Sequence, residues 1–591
     1  MKKLLMGNQA VALGAIRAGV QVVTGYPGTP STEILQTIAD SNKGDIYVEW
    51  SINEKVALEV AAGAAYAGAR TLVTMKQVGL NVASDPLMSL NYVGVKGGLV
   101  IVVADDPGPI SSQTEQDTRH FGIFSKVAVF DVATPQEAYT MVADAFDYSE
   151  KYNQPVFLRL TTRVCHSRAQ IELLPELAKK PVEGFVKDSK WVIFPRLAYE
   201  NHIKIEEKLN EMAVDFADYR YNILTGSGKV GFATGGVSYS YLREALAGCE
   251  SEYKLLKLAT VPFPEALILE FLQGLERVLV LEELDPVIET GLLKICGRHN
   301  IKVEICGKLT GHVANAGENS AQSIAKAAAG FVELPQKEPA AQPIEQLPPR
   351  PPVLCAGCPH RASFLAVKWA AQGKKAVFSG DIGCYTLGNA KPIDMVDTCL
   401  CMGAGLTVAQ GLERAEPGVV HFGFIGDSTF FHSGITGIAN AVYNQTDVIV
   451  VVLDNSTTAM TGGQPHPGTG QTMMRSVSEK ISIYNVVKAL NVDWVERVNP
   501  FDLDAAQKTV EQAMAKKGVR VILFEAPCIM INKTGDCLKV NNQACTGCRV
   551  CLNKTGCPAL SYENKKAVIE PSLCNGCGVC AYTCKFGAIT K

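Results

Sequence analysis

The stretch VVHFGFIGDSTFFHSGITGIANAVYNQTDVIVVVLDNSTTAM, residues 419–460, decides the fold. Two apolar runs frame it, and a polar residue follows each: Asp427 after the first, Asn455 after the second. Unbroken Val/Ile/Phe runs fit strands covered on both faces, as in a parallel sheet. Ligand-contacting residues of such sheets gather at the carboxyl ends of the strands, where Asp427 and Asn455 fall. A carboxylate and an amide oxygen at neighbouring strand ends can hold one hard cation, and such an ion bridges to phosphates. Gly434 and Gly437 lie where a helix would begin, a position suited to a pyrophosphate. Either residue alone reads better as a cap or turn; the spacing of 28 residues between them favours a site.

Outward from this stretch the pattern repeats. Residues 98–106, 229–236, 277–283 and 520–527 are further apolar runs ending in Asp, Gly, Glu or Pro, separated by helical periods. Residues 332–352 hold seven prolines in 21 positions, an extended linker and the clearest boundary. The expected division is 1–166, a connecting segment 167–219, an α/β domain 220–331, the linker, an α/β domain 353–535, and a tail 536–591. A chain of 591 residues with net charge −3 has room for several cores and no charge bias toward nucleic acid or an anionic membrane. The N-terminal MKKLLMGNQAVALGAIRAG is interrupted by Gly, Asn and Gln and reads as the first helix of a domain, not as a leader peptide. No run reaches the ~18–20 apolar residues that span a bilayer. The reading is a reduced, cytoplasmic protein. Gly228-Lys229 is followed by Val230, so the glycines there do not make a phosphate loop.

The tail carries a second signal. Cys574, Cys577, Cys580 and Cys584 follow C-x2-C-x2-C-x3-C, and Cys545, Cys548, Cys551 and Cys557 form a similar run. Two such runs are the form of a two-cluster ferredoxin, in which the fourth cysteine of each run serves the other cluster. The expected ligand sets are therefore Cys545, Cys548, Cys551 with Cys584, and Cys574, Cys577, Cys580 with Cys557. The first run has five residues before its last cysteine, an insertion a surface loop can absorb. Disulfides and zinc are the competing readings.

The Gly-Asp…Asn pattern resembles the thiamine diphosphate (TPP) signature, with Ser428 where its third residue is usually Gly. Together with TGYPGTPSTEIL (24–35), Glu54 ahead of an Ala/Gly-rich helix, and the double ferredoxin, the whole chain resembles the 2-oxoacid:ferredoxin oxidoreductases. The order of parts is most similar to the large subunits of the indolepyruvate-type members. The resemblance implies an α/β multidomain fold: two TPP-binding-type parallel-sheet domains, a transketolase C-terminal-like α/β domain, and a ferredoxin-like domain with two [4Fe–4S] clusters. It implies Mg²⁺ held by Asp427, Asn455 and the Thr457 carbonyl, with Gly426 and Ser428 beside it and Cys401, Met402 and Gly403 opening a small-residue helix near the cofactor. It implies that Glu54 activates the cofactor ring, with Glu49 and Glu59 as rivals, and that Thr29 meets substrate or cofactor. Pyruvate-oxidising relatives carry Asn where Met460 stands, which points to a larger, apolar side chain on the substrate. His432 and His466 lie in cofactor loops and are candidates for proton handling, with structural hydrogen bonding as the default.

The implied reaction is oxidative decarboxylation of an aryl 2-oxoacid to acyl-coenzyme A and CO2, with electrons leaving through the clusters to ferredoxin. A smaller beta subunit is implied as partner, in a heterotetramer with two copies of each; neither nucleic acid nor membrane is expected as a partner. The alternatives are the same reaction on another 2-oxoacid, a non-redox decarboxylase giving aldehyde, and an electron-transfer subunit without working TPP chemistry. Cys355, Cys358, Cys384 and Cys528 match a quartet that holds a further [4Fe–4S] cluster in pyruvate-oxidising relatives; zinc or buried thiols are the other readings.

Overall fold

The computed structural model describes residues 2–335, 348, 350–532 and 535–591, so most of the proline-rich linker expected at 332–352 lies outside the described residues. The chain divides into two compact units, Met1–Pro343 and Ile344–Lys591.

The first unit holds two large sheets and a two-stranded ribbon. One has seven strands in the order Thr260–Val261, Ala128–Asp131, Val156–Thr161, Leu99–Asp105, Thr71–Lys76, Val22–Gly25 and Tyr47–Trp50. All neighbours are parallel except the first pair. Leu99–Asp105 is buried along its whole length, as its unbroken apolar sequence requires. The edge strand Thr260–Val261 comes from the later part of the unit and has no periodic signal of its own. The N-terminal stretch is not purely helical. Lys2–Met6 pairs antiparallel with Arg168–Glu172, and the helix begins at Gly7.

The second sheet runs Glu304–Cys306, Arg277–Leu281, Val230–Thr234, Lys254–Lys257 and Ile223–Gly226, the last strand antiparallel. Arg119 joins the two sheets' segments: it pairs with Asp117 and with Glu282 at 2.7 Å, and donates to the Glu283 carbonyl at 2.9 Å. A buried guanidinium is tolerated there because each of its donors meets an acceptor.

The second unit is built on five parallel strands: Ala376–Ser379, Val420–Gly426, Val448–Asp454, Val519–Glu525 and Trp494–Val498. Strand alternation sorts their side chains into two cores. Phe422, Phe424, Val451 and Leu453 pack with Phe364 and Val510 on one face. Ile425, Val450 and Val452 pack with Leu406, Ile438 and Val487 on the other. Each fully buried Val, Leu or Phe contributes about 1.5–3 kcal/mol, and an Asp at Val451 would leave an unpaired charge between layers. The tail adds two ribbons, Lys539–Val540 with Ile589–Thr590 and Leu560–Glu563 with Lys566–Ile569, and two short helices, Val550–Thr555 and Val579–Tyr582. No described helix is long and apolar enough to cross a membrane.

Candidate active site

In the second unit Asp427 is the centre. The strand Val420–Gly426 delivers it to the carboxyl edge, and the register Gly426↔Leu453 sets Asn455 beside it. Asp427 is 3 % exposed. Its Oδ1 accepts from the Ser428 N–H at 2.9 Å; its Oδ2 accepts from the Asn455 N–H at 3.2 Å and contacts His466 Nε2 at 3.1 Å. Asn455 Oδ1 accepts from the Thr457 N–H at 3.2 Å, and its Nδ2 contacts His360 Nε2 at 3.3 Å. Thr458 Oγ1 donates to Ser428 Oγ at 3.0 Å.

The electrostatics favour a cation here. Burial alone would raise Asp427, but the hydrogen bond and charge of His466 hold it below the usual carboxylate range. Its neighbour Asp454 is pushed up to about 7, by burial first and then by Asp427. Two carboxyls against each other, with the amide of Asn455 beside them, make a set of oxygen ligands that fits a divalent ion. Burial also pulls His360 down to about 4, so a neutral imidazole faces Asn455.

The expectation for the helix start needs correction. The helix begins at once after Gly426: Asp427–Thr429 is helical, Phe430–Gly434 makes a π turn, and Ile435–Tyr443 continues. Gly434 and Gly437 therefore lie inside the helical run, and its N-terminal N–H groups are those next to Asp427. A π turn at this point is typical of functional sites. It carries His432, buried and 3.1 Å from Ser433 Oγ. The helix Ala404–Ala415 packs on the same strand because Gly405 has no side chain: a Cβ there would lie 2.6 Å from the Gly380 carbonyl. Gly403, at φ +85°, turns the chain into it, and Asp381 accepts from the Gly403 N–H at 2.9 Å. Met402 offers its carbonyl to Ser433 Oγ at 3.1 Å, Cys401 is exposed, and Met460 is 52 % exposed on the turn Ala459–Thr461.

The first unit gathers a separate group at the carboxyl edge of its seven-stranded sheet. Glu54 is the first residue of the helix Glu54–Tyr66, capped by Asn53, and is 5 % exposed. A Cβ at Gly79 would lie 2.4 Å from Glu54 Oε1, so only glycine leaves room for this carboxylate. The rivals are occupied elsewhere: Glu49 accepts from Ser51 and Tyr47, each at 2.6 Å, and Glu59 pairs with Lys55 at the surface. Thr29 is half-buried after the strand Val22–Gly25, its carbonyl accepting from Ser111 Oγ at 3.2 Å. Sequence reasoning missed Lys76. It ends the strand Thr71–Lys76, lies against Gly28 and donates to the Ser111 carbonyl at 3.0 Å. Burial pulls it down to about 8, against the charges of Asp106 and Glu54.

Cys545, Cys548, Cys551 and Cys584 line one cavity. Burial first, and then the thiols of Cys577, Cys557, Cys574 and Cys551, push the Cys580 thiol up to about 12. Cys384 lies near Cys528 and Cys355, and Cys355 is next to Cys358. Among the described residues no group of three or more His, Cys, Asp or Glu closes around a single ion; a cube makes no such demand, since each thiolate binds a different iron. The Cys528 N–H donates to the Asn455 carbonyl at 2.9 Å, so a hydrogen bond ties this quartet to the Asp427 group.

Three family models match the chain: "Pyruvate flavodoxin/ferredoxin oxidoreductase, thiamine diP-bdg" at 13–220, "Thiamine pyrophosphate enzyme, C-terminal TPP binding domain" at 381–524, and "4Fe-4S binding domain" at 567–590. The indolepyruvate oxidoreductase subunit IorA of Pyrococcus horikoshii is 41% identical, over 100% of this chain and 97% of that protein. The same subunit of Methanothermobacter thermautotrophicus is 40% identical, again over 100% and 97%. The 2-oxoglutarate synthase subunit KorA of Archaeoglobus fulgidus is 25% identical, over 47% of this chain and 87% of that one. The chain is an oxidoreductase subunit that joins TPP-dependent oxidative decarboxylation to electron transfer through iron–sulfur chemistry. Identity over the full length places it: this chain belongs to the family of indolepyruvate oxidoreductase IorA subunits.

Proposed function

We propose that the chain is the large subunit of a cytoplasmic oxidoreductase that converts aryl 2-oxoacids of the indolepyruvate type to acyl-coenzyme A and CO2. Its relatives' name and the apolar Met460 support the substrate class. Residues 1–166 serve the cofactor ring, 353–535 its diphosphate, 220–331 form the transketolase C-terminal-like domain, and 536–591 pass electrons to ferredoxin. A smaller subunit completes the enzyme as a heterotetramer.

TPP, when bound, supplies the nucleophilic carbon and the electron sink for decarboxylation. The chain's residues do the rest. Asp427, Asn455 and the Thr457 carbonyl hold Mg²⁺, and His466 orients Asp427. Glu54, sealed from water against Gly79, moves a proton at the cofactor ring. Thr29 and Lys76 present a hydroxyl and a cation at the same strand edge, suited to a substrate carboxylate. Cys355, Cys358, Cys384 and Cys528 would hold one [4Fe–4S] cube and the two tail sets the others, which would supply one-electron carriers of low potential.

The observation that carries this reading is the Cys528–Asn455 hydrogen bond, which ties a residue of the cysteine quartet directly to a residue of the ion group. The test is reduction of viologen by the anaerobic two-subunit enzyme, with coenzyme A, across a panel of 2-oxoacids. Aryl substrates should exceed pyruvate in kcat/KM; a preference for pyruvate overturns the substrate class. The same preparation should hold about twelve irons per chain, four per cube, and Cys358→Ser about eight. About eight irons in the unsubstituted protein overturns the third cube.

A further inference from the structure

Arg361 sits three residues after Cys358, in the first turn of the helix Pro359–Ala370. A cation there opposes the helix dipole, and this one is only 3 % exposed. Its Nη1 donates to the Thr555 carbonyl at 2.5 Å and the Gly556 carbonyl at 3.0 Å, on the segment that runs into Cys557. Its Nη2 donates to the Leu354 carbonyl and, at 3.5 Å, to the Cys355 carbonyl. One side chain thus clamps two cysteine loops, reaching Thr555 across 194 residues of sequence. Its Nε is buried without a hydrogen-bond partner.

A guanidinium does not deprotonate in proteins. Carbonyl dipoles satisfy its donors but not its charge, and an uncompensated buried charge costs several kcal/mol. The groups that offset its burial are sulfurs: Cys557 and Cys577 from the tail, Cys358 and Cys355 from the quartet. Iron-bound thiolates on both sides would give Arg361 the negative surroundings that its position demands.

We propose that Arg361 is an electrostatic bridge between the cube of the Cys355/Cys358 quartet and the tail cube of Cys557, Cys574, Cys577 and Cys580. The proposal rests on the reading that both sets hold [4Fe–4S] clusters. In each transfer one electron leaves the first cube and enters the second, with no bond made or broken. The incoming electron adds one negative charge beside a fixed cation in a low-dielectric interior, so the reduced tail cube is stabilised. Arginine suits this position because its planar fork reaches both loops at once, which an ammonium cannot.

The test uses the anaerobic full chain with its partner subunit, with iron content and redox titration followed by electron paramagnetic resonance. Arg361→Gln removes the charge and should lower the reduced-to-oxidised ratio of the tail cube about tenfold at a fixed potential, a shift of about −59 mV for one electron, at unchanged iron. Arg361→Lys restores the charge and should recover most of the shift. Unchanged potentials in an iron-replete Arg361→Gln protein overturn the bridge. If Arg361→Gln sheds iron, Arg361→Lys decides: full iron at the original potential supports the assignment, and iron loss in both variants marks Arg361 as a structural clamp only and overturns it. The iron count of the unsubstituted protein is read first; about eight irons removes the quartet's cube, and the bridge with it, whatever the variants do.

Discussion

The five-stranded sheet around Asp427 and the cysteine tail sit in the same compact unit and are held together in opposite ways. The sheet sandwiches Val, Ile and Phe between two layers of helices, in two apolar cores. The tail's core is Leu538, Cys545, Cys551, Ala567, Ile569, Ala588 and Ile589, under ribbons of two to four residues. So few apolar groups fall short of the cost of ordering the chain. On the proposed assignments, one region would carry its metal on a fold complete without it, and in the other iron would supply much of the fold. The lesson is that the same unit should respond to loss of its inorganic groups in two ways.

The largest expected effect sharpens that contrast from the catalytic side. Glu54→Gln removes a proton carrier and touches no core, so turnover should fall by about 10²–10⁴-fold with iron content and melting temperature unchanged. A variant that keeps more than about a tenth of the activity shows that Glu54 is not the activating group. Next, Asp427→Ala should weaken Mg²⁺-dependent TPP binding by about 100-fold or more, beyond the 10–100-fold typical of a lost outer-shell partner, while the sheet stays folded. Calorimetric titration with TPP and Mg²⁺ measures it, and undiminished affinity breaks the assignment. Third, chelating the iron anaerobically should open residues 536–591 to protease while leaving 353–532 resistant. A tail that stays resistant without iron would erase the contrast drawn here.

The smallest effect concerns stability. Lys76 keeps an ammonium in a site that pulls its pKa from the ordinary value down to about 8. The charged form is disfavoured by folding, so its cost is fully present below pH 8 and fades as pH rises toward the unfolded lysine's value near 10.4. Lys76→Met should therefore stabilise the first unit by up to about 3 kcal/mol at neutral pH, with the gain vanishing by about pH 10.5, and should raise KM for the 2-oxoacid. Equal stability across that range contradicts the burial argument.

Much of this was legible in the sequence, for identifiable reasons. Strands such as Leu99–Asp105 and Val448–Asp454 are read from unbroken apolar runs because a two-sided core leaves no polar position. The two cysteine runs of the tail stand out in the sequence because their spacing is local. What escaped depends on contacts without a local pattern. His360 meets Asn455 across 95 residues, and Arg361 reaches Thr555 across 194. Thr260–Val261 joins the first sheet as a strand too short to show a period. The helix start was misplaced because Asp427 itself opens the helix, and the π turn hides the glycine spacing.

The central claim is that decarboxylation feeds electrons into the cysteine-bound clusters. It is tested most directly by mixing the anaerobic, oxidised enzyme with one equivalent of indolepyruvate and coenzyme A and following the visible iron–sulfur absorbance over a single turnover. The account predicts that the absorbance bleaches with the unsubstituted enzyme, does not bleach with Glu54→Gln, and bleaches in both when dithionite is added. Release of CO2 and an aldehyde without bleaching would contradict it.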